Sequence, residues 1–204
     1  MVTIIDYGVG NINAFVNVYQ RLNIKTKIAK TISDLECVEK MILPGVGSFD
    51  YAMERLDSSG MRERLDQLVL KEKIRVLGIC IGMQMMAQKS EEGTAEGLNW
   101  INAEVVKFDT SQIKYQTKLP HMGWNDVNVV KENPLFKGLE KDSIFYFLHS
   151  YYLKCNNVAD SIAETEYGGL FVSGVNHQNI YGIQFHPEKS HYYGEILLNN
   201  FAKL

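Results

Sequence analysis

Arg75-Val76-Leu77-Gly78-Ile79-Cys80-Ile81-Gly82-Met83-Gln84 is the stretch that decides the fold. Arg75–Ile79 reads as a buried strand, because an apolar run of this length with no polar alternation needs cover on both faces. A thiol follows directly, and a helical run extends from Ile81 to Lys89. Gly78 and Gly82 flank the cysteine, as a sharp strand-to-helix turn requires, since a Cβ there would collide with the neighbouring strand or helix. Such a turn lifts the sulfur to the end of the sheet, where the helix N-terminus favours negative charge. The backbone N–H of Ile81 is then placed to bind an oxyanion. The alternative for Cys80 is an inert buried thiol, because free cysteine is among the most buried residue types.

Working outward, short apolar runs alternate with amphipathic stretches, which predicts βα units. Val2–Ile5 reads as a strand ending in the turn Asp6-Tyr7-Gly8-Val9-Gly10, and Asn11–Leu22 as a helix. Thr26–Ala29 is a short strand. Ser33 and Glu36 stand at the capping-box spacing. Met41–Leu43 is a strand broken by Pro44-Gly45, and Met61, Leu65, Leu68 and Val69 form a helical stripe facing the sheet. From Val105 onward the strands shorten: Asp126–Val130, Phe145–Leu148, Ser161–Thr165, Leu170–Val175 and Tyr181–Phe185, some of them antiparallel. Asp109–Lys118 reads as a polar surface loop. A helix with Leu197, Phe201 and Leu204 on one face ends the chain. The expectation is an α/β fold, a central mostly parallel mixed sheet flanked by helices, in one domain over residues 1–204.

Composition narrows the function. With 204 residues the chain can bury a sizeable core, and its formal net charge of −3 points to neither nucleic acid nor an anionic membrane. The opening MVTIIDYGVG has no basic start and no apolar stretch of signal length, so a cytoplasmic protein is expected. Cys37, Cys80 and Cys155 are few and odd in number, which fits reduced thiols. No C-x-x-C and no H-E-x-x-H occurs, so no metal is expected.

A second motif supplies what a thiol nucleophile needs. Gly182-Ile183-Gln184-Phe185-His186-Pro187-Glu188 ends an apolar run with imidazole and carboxylate two residues apart. In an extended chain positions i and i+2 point to one side, so Glu188 can reach the His186 ring, and Pro187 biases His186 toward the β region. Thiol, imidazole and acid then form a nucleophile, a general base and its orienter. The alternative is a surface histidine beside an unrelated acid. An elbow cysteine elsewhere in the chain weakens that alternative, because both halves of one machine would have to be accidents.

These residues resemble the class I (triad) glutamine amidotransferases, and within them most of all the glutaminase subunits of imidazole glycerol phosphate synthases. The landmarks are Asp6–Asn11, Pro44-Gly45-Val46-Gly47, Gly78–Gln84, His121-Met122-Gly123-Trp124-Asn125, His149-Ser150-Tyr151-Tyr152 and Phe185–Ser190, spread over nearly the whole chain. The resemblance implies a triad of Cys80, His186 and Glu188. It implies oxyanion donors at Val46, Gly47 and Ile81, where Gly45 and Gly47 would make a peptide flip sterically cheap. Gly45, Gln84, Glu92, Ser150 and Tyr151 would hold the substrate L-glutamine, with Glu91 the competitor for the role of Glu92. His121, Met122, Trp124, Asn125 and Lys189 would face a (β/α)8 synthase subunit in a heterodimer. That partner would take ammonia into imidazole glycerol phosphate for histidine biosynthesis, with no cofactor at the glutaminase site. One departure, Gly97-Leu98-Asn99-Trp100-Ile101 in place of a glycine-rich segment, keeps a second reading open: a sister group whose ammonia builds amidino groups on surface-polysaccharide sugars.

Overall fold

A computed structural model describes residues 1–139 and 143–204. The first half alternates strand and helix: β1 (Val2–Ile5), α1 (Ile12–Arg21), β2 (Thr26–Ala29), β3 (Lys40–Gly45), α2 (Phe49–Ser58), α3 (Arg62–Asp66), β4 (Arg75–Cys80) and α4 (Ile81–Gln84). Strands then dominate: β5 (Lys89–Ser90), β6 (Ala103–Lys107), β7 (His121–Asp126), β8 (Asn128–Val129), β9 (Ile144–His149), β10 (Tyr151–Cys155), β11 (Ser161–Glu166), β12 (Leu170–His177) and β13 (Ile180–Ile183). Helix α5 (His191–Lys203) closes the chain.

The main sheet runs β2-β1-β3-β4-β13-β12-β10-β6-β5, with β11 paired to β12 and β8 to β11. From β2 to β13 every pairing is parallel. Beyond β13 the pairings through β12, β10 and β6 are antiparallel. Strands β7 and β9 form a separate antiparallel ribbon. The parallel strands VTII and VLGIC are buried along their length, as apolar runs flanked by helices must be. Met61, Leu65, Leu68 and Val69 are buried as their spacing predicts, and Leu197 and Phe201 turn the same face of α5 inward.

Several local readings need correction. The helical run after Cys80 stops at Gln84 instead of continuing to Lys89. Main-chain N–H groups of Leu98, Trp100 and Asn99 bond to the carbonyls of Met85, Met86 and Ala87, so a loop, not another helical turn, satisfies that end. Pro44 does not end β3, which pairs on to Gly45 opposite Cys80. Within β3 only Met41 and Ile42 pair with β1, so that side of β3 is already free of a strand where the proline's missing N–H falls. The capping box belongs to Thr31 and Asp34, not Ser33 and Glu36, and it opens a single 3-10 turn. Strand β13 ends at Ile183, short of Phe185. Within 109–118 only Ile113 is buried, as a surface loop requires.

Candidate active site

Three parallel strands deliver the site with their C-terminal ends. Register pairs Gly45 of β3 with Cys80 of β4, and Ile183 of β13 with Ile79 of β4. The residues just beyond, Val46, Cys80, Gln184 and His186, therefore converge where open α/β sheets bind ligands. Cys80 itself has φ 55° and ψ −114°, a backbone state that L-residues adopt at a cost of order 1–3 kcal/mol when the surroundings impose it. The glycines show what imposes it. A Cβ on Gly82 would overlap the Leu43 carbonyl oxygen, and one on Gly45 would overlap the Gly82 nitrogen. The elbow is thus clamped directly onto β3.

That clamp corrects the reading of Gly45. The elbow packs where a side chain on Gly45 would stand, so a glycine is needed there for close packing, and Gly45 does not line the cleft. Gly47 keeps the predicted freedom: φ is +89°, and a Cβ there would meet only a Tyr51 ring carbon at 3.8 Å.

Cys80, His186 and Lys189 line one cleft of about 300 Å³ with Val46, Gly47, Ile81, Gln84, Glu92, Ser150 and Tyr151. Pro120, Leu148 and His149 complete its wall and were not foreseen as lining residues. The sulfur is 3.8 Å from the Leu148 carbonyl oxygen and 3.7 Å from Gln184 Nε2. His186 Nδ1 and Glu188 Oε1 are 2.8 Å apart, with both side chains 3% exposed. The contact is the predicted one, but its route differs: Pro187–Lys189 make a 3-10 turn, so an extended chain is not what carries the carboxylate to the ring. Ser190 holds that turn, donating from Oγ to His186 O and accepting from Tyr146 N.

Charge compensates burial at this corner. Burial alone pulls the His186 pKa down. The charge of Cys80, a hydrogen bond with it, and the bond and charge of Glu188 together outweigh that and raise it to about 10. The charges facing the ring thus favour its protonated form over what burial alone would allow.

Around this corner the two adjacent glutamates separate cleanly. Glu92 lines the cleft, and its Oε2 accepts from Phe49 N at the start of α2. Glu91 turns away and accepts from Lys107 N. Gln84 is buried, its Nε2 donating to Tyr151 O and to Gln184 Oε1 while its own Oε1 has no partner.

The residues expected to face a partner divide. Met122 and Trp124, 63% and 45% exposed, alternate outward along β7, and Trp124 stacks on His191. Exposure excludes the core-aromatic reading of Trp124. Lys189 is exposed, its Nζ 5.5 Å from the Tyr146 ring, and Asn125 donates to Glu166 O. His121 differs from them: its ring is buried, stacked on Tyr167 and bonded to His149, and it reaches only the floor of a groove that Met122, Trp124 and Asn125 also line.

Over residues 3–204 the chain matches the family model for glutamine amidotransferase class-I. It belongs to that family. Similar curated proteins include the imidazole glycerol phosphate synthase subunit HisH of Leptospira borgpetersenii, 52% identical over 204 residues with both chains covered in full. The protein of the same name from Bdellovibrio bacteriovorus is also 52% identical over 204 residues, again with full coverage of both chains. Among solved structures, a putative GMP synthase subunit from Thermoplasma acidophilum aligns with TM-score 0.73 at 25% identity, over 99% of this chain and 92% of that one.

Within this amidotransferase fold, the departing segment Gly97–Ile101 turns out to be the clasp behind α4. It bonds to Met85, Met86, Ala87 and Gln88 carbonyls, and the Trp100 indole donates to Asp66. It is absent from the cleft lining. Gln184 has no role in the sequence expectations, and His149 enters them only as part of a landmark with no chemistry assigned; the register of β13 beside β4 is what brings Gln184 next to Cys80.

Proposed function

We propose that the chain is the glutaminase subunit of an imidazole glycerol phosphate synthase, cleaving L-glutamine to glutamate and ammonia at Cys80. The observation that carries the reading is the His186–Glu188 pair at 2.8 Å, charged by its surroundings and sharing the cleft with the elbow sulfur. Cys80 attacks the carboxamide carbon of glutamine, and the carbonyl electrons move onto oxygen. Ile81 N–H and the Val46–Gly47 peptide receive that oxyanion; one such donor is worth about 10²–10³ in rate. His186 passes its proton to the leaving nitrogen, and ammonia departs from a γ-glutamyl thioester. Water, deprotonated by His186, adds to the thioester, and glutamate leaves as the sulfur recovers its electron pair.

Gln84 Oε1 and the remaining oxygen of Glu92 supply acceptors for the amino-acid end, with Ser150 and Tyr151 beside them. Support for the pathway comes from the full-length likeness to subunits of that name. We infer a (β/α)8 synthase partner seated over Met122 and Trp124, near Lys189, in a cytoplasmic heterodimer. No observation favours the sugar-amidinating reading, since the segment that suggested it lies behind α4 rather than in the cleft.

The test is labelling with a glutamine analogue that carries an electrophile at its side-chain end. The expected result is one adduct, on Cys80, blocked by excess glutamine. An adduct on Cys37 or Cys155, or labelling that glutamine leaves untouched, would contradict the assignment.

A further inference from the structure

Behind the Cys80 sulfur sits a fully buried amide that the mechanism does not use. Gln184 is 0% exposed. Its place follows from register: Ile183 pairs with Ile79, so the next residues on the two strands, Gln184 and Cys80, are neighbours. Gln184 Nε2 lies 3.7 Å from Cys80 Sγ, and Gln184 Oε1 accepts from Gln84 Nε2 at 2.9 Å.

Which end of the amide faces the sulfur is settled by a backbone carbonyl. Tyr151 O can only accept, and it takes bonds from Gln84 Nε2 at 2.9 Å and from His149 Nδ1 at 2.8 Å. Gln84 must therefore present its NH2 group there. The same NH2 group faces Gln184, which has to answer with its oxygen, leaving only its NH2 for the sulfur. The carbonyl also fixes His149 as the Nδ1–H tautomer. Its Nε2 then accepts from His121 Nδ1 at 3.0 Å, and His121 Nε2 accepts from Asn125 Nδ2 at 3.1 Å. Burial lowers the His121 pKa to about 4 and, with the neighbouring His121 and His186, the His149 pKa to about 3. Both rings are neutral, and the donor–acceptor order along the line is set.

Two groups thus compete for the Cys80 sulfur from inside the wall. The Leu148 carbonyl, 3.8 Å away, can accept only from a protonated thiol. An N–H donor interacts more strongly with charged sulfur than with neutral sulfur.

We propose that Gln184 is a further catalytic residue, an N–H donor that holds the Cys80 sulfur as thiolate with its free lone pair toward the cleft. Gln84, the Tyr151 carbonyl and His149 orient it. The inference rests on Cys80 being the nucleophile.

The experiment measures the rate of Cys80 alkylation by iodoacetamide at pH 7 on the whole chain. Peptide mass spectrometry separates Cys80 from Cys37 and Cys155. Gln184→Met keeps the volume and removes the donor. It should slow alkylation of Cys80 at least ten-fold and leave exposed Cys37 unchanged. Gln184→Glu keeps the acceptor for Gln84 but turns an oxygen toward the sulfur, and should slow it further. A folded Gln184→Met or Gln184→Glu chain alkylated at Cys80 within two-fold of the parent overturns the proposal. Should neither fold, the parent and Cys80→Ala chains decide it: the Gln184 side-chain amide resonance should move when the sulfur is removed, and an unmoved resonance overturns the contact. Parent chain alkylated at Cys80 that still hydrolyses glutamine would instead sink the nucleophile reading, so the two failures are distinguishable.

Discussion

Two buried imidazoles stand on the wall of one cleft and behave oppositely. His186, at the end of the parallel strands, faces a carboxylate and a sulfur, and its pKa rises to about 10. His149, at the end of β9, faces a backbone carbonyl and a second histidine, and its pKa falls to about 3. Both rings are almost wholly out of water. Burial alone would discharge either one, and only an anionic partner reverses that. The parallel corner is therefore built to hold and move a proton. The ribbon corner is built to hold its shape.

The sharpest way to break the comparison is to remove the anion. Glu188→Gln keeps the bulk but takes away one of the two charges that raise the His186 pKa, so the ring should keep only the support of Cys80 and lose its orienting acid. Glutamine hydrolysis should fall by about 10⁴, in line with removal of the orienting acid from other triads. Steady-state kinetics on the assembled complex checks this, and a loss under ten-fold would mean that Glu188 does not orient the ring.

The next effect is on stability against pH. His121 and His149 have folded values below the unfolded 6.5. The unfolded chain binds these protons first, so the stabilisation is complete above pH 6.5 and drains as pH falls toward 4 and then 3. At about 1.4 kcal/mol per unit, His121 alone accounts for on the order of 3 kcal/mol. Denaturant unfolding at pH 7 and pH 5 should show that decline, and His149→Gln should flatten it. His186 runs the other way: its contribution is present below 6.5 and is lost as pH rises toward 10.

The smallest stability effect is expected at the ribbon's outer face. Trp124→Ala removes an exposed side chain resting on His191 and Tyr146, so the melting temperature should move by only a few degrees. Partner-dependent glutaminase activation should weaken at least ten-fold. A collapse of the fold instead would make Trp124 a structural residue.

The same contrast explains what was legible in the sequence. The parallel corner was readable because its signals are local: an apolar run, glycines at the elbow, and an acid two residues from a histidine. Its details slipped where tertiary contacts replaced local rules. The clasp Gly97–Ile101 cut α4 to four residues, and a 3-10 turn rather than an extended chain brought Glu188 to His186. The ribbon corner was readable only by resemblance. Nothing in the spacing of His121, His149 and Gln184 announces that one backbone carbonyl, Tyr151 O, would line them up. Alternation along β7 did place Met122 and Trp124 outward and, for the same reason, buried His121.

The most direct measurement compares nitrogen sources in the assembled complex carrying Cys80→Ala. Synthesis supported by added ammonia should continue at the parent rate, while synthesis supported by glutamine should disappear. Glutamine-supported synthesis near the parent rate would contradict the central claim that the Cys80 sulfur, beside the His186–Glu188 pair, breaks the amide.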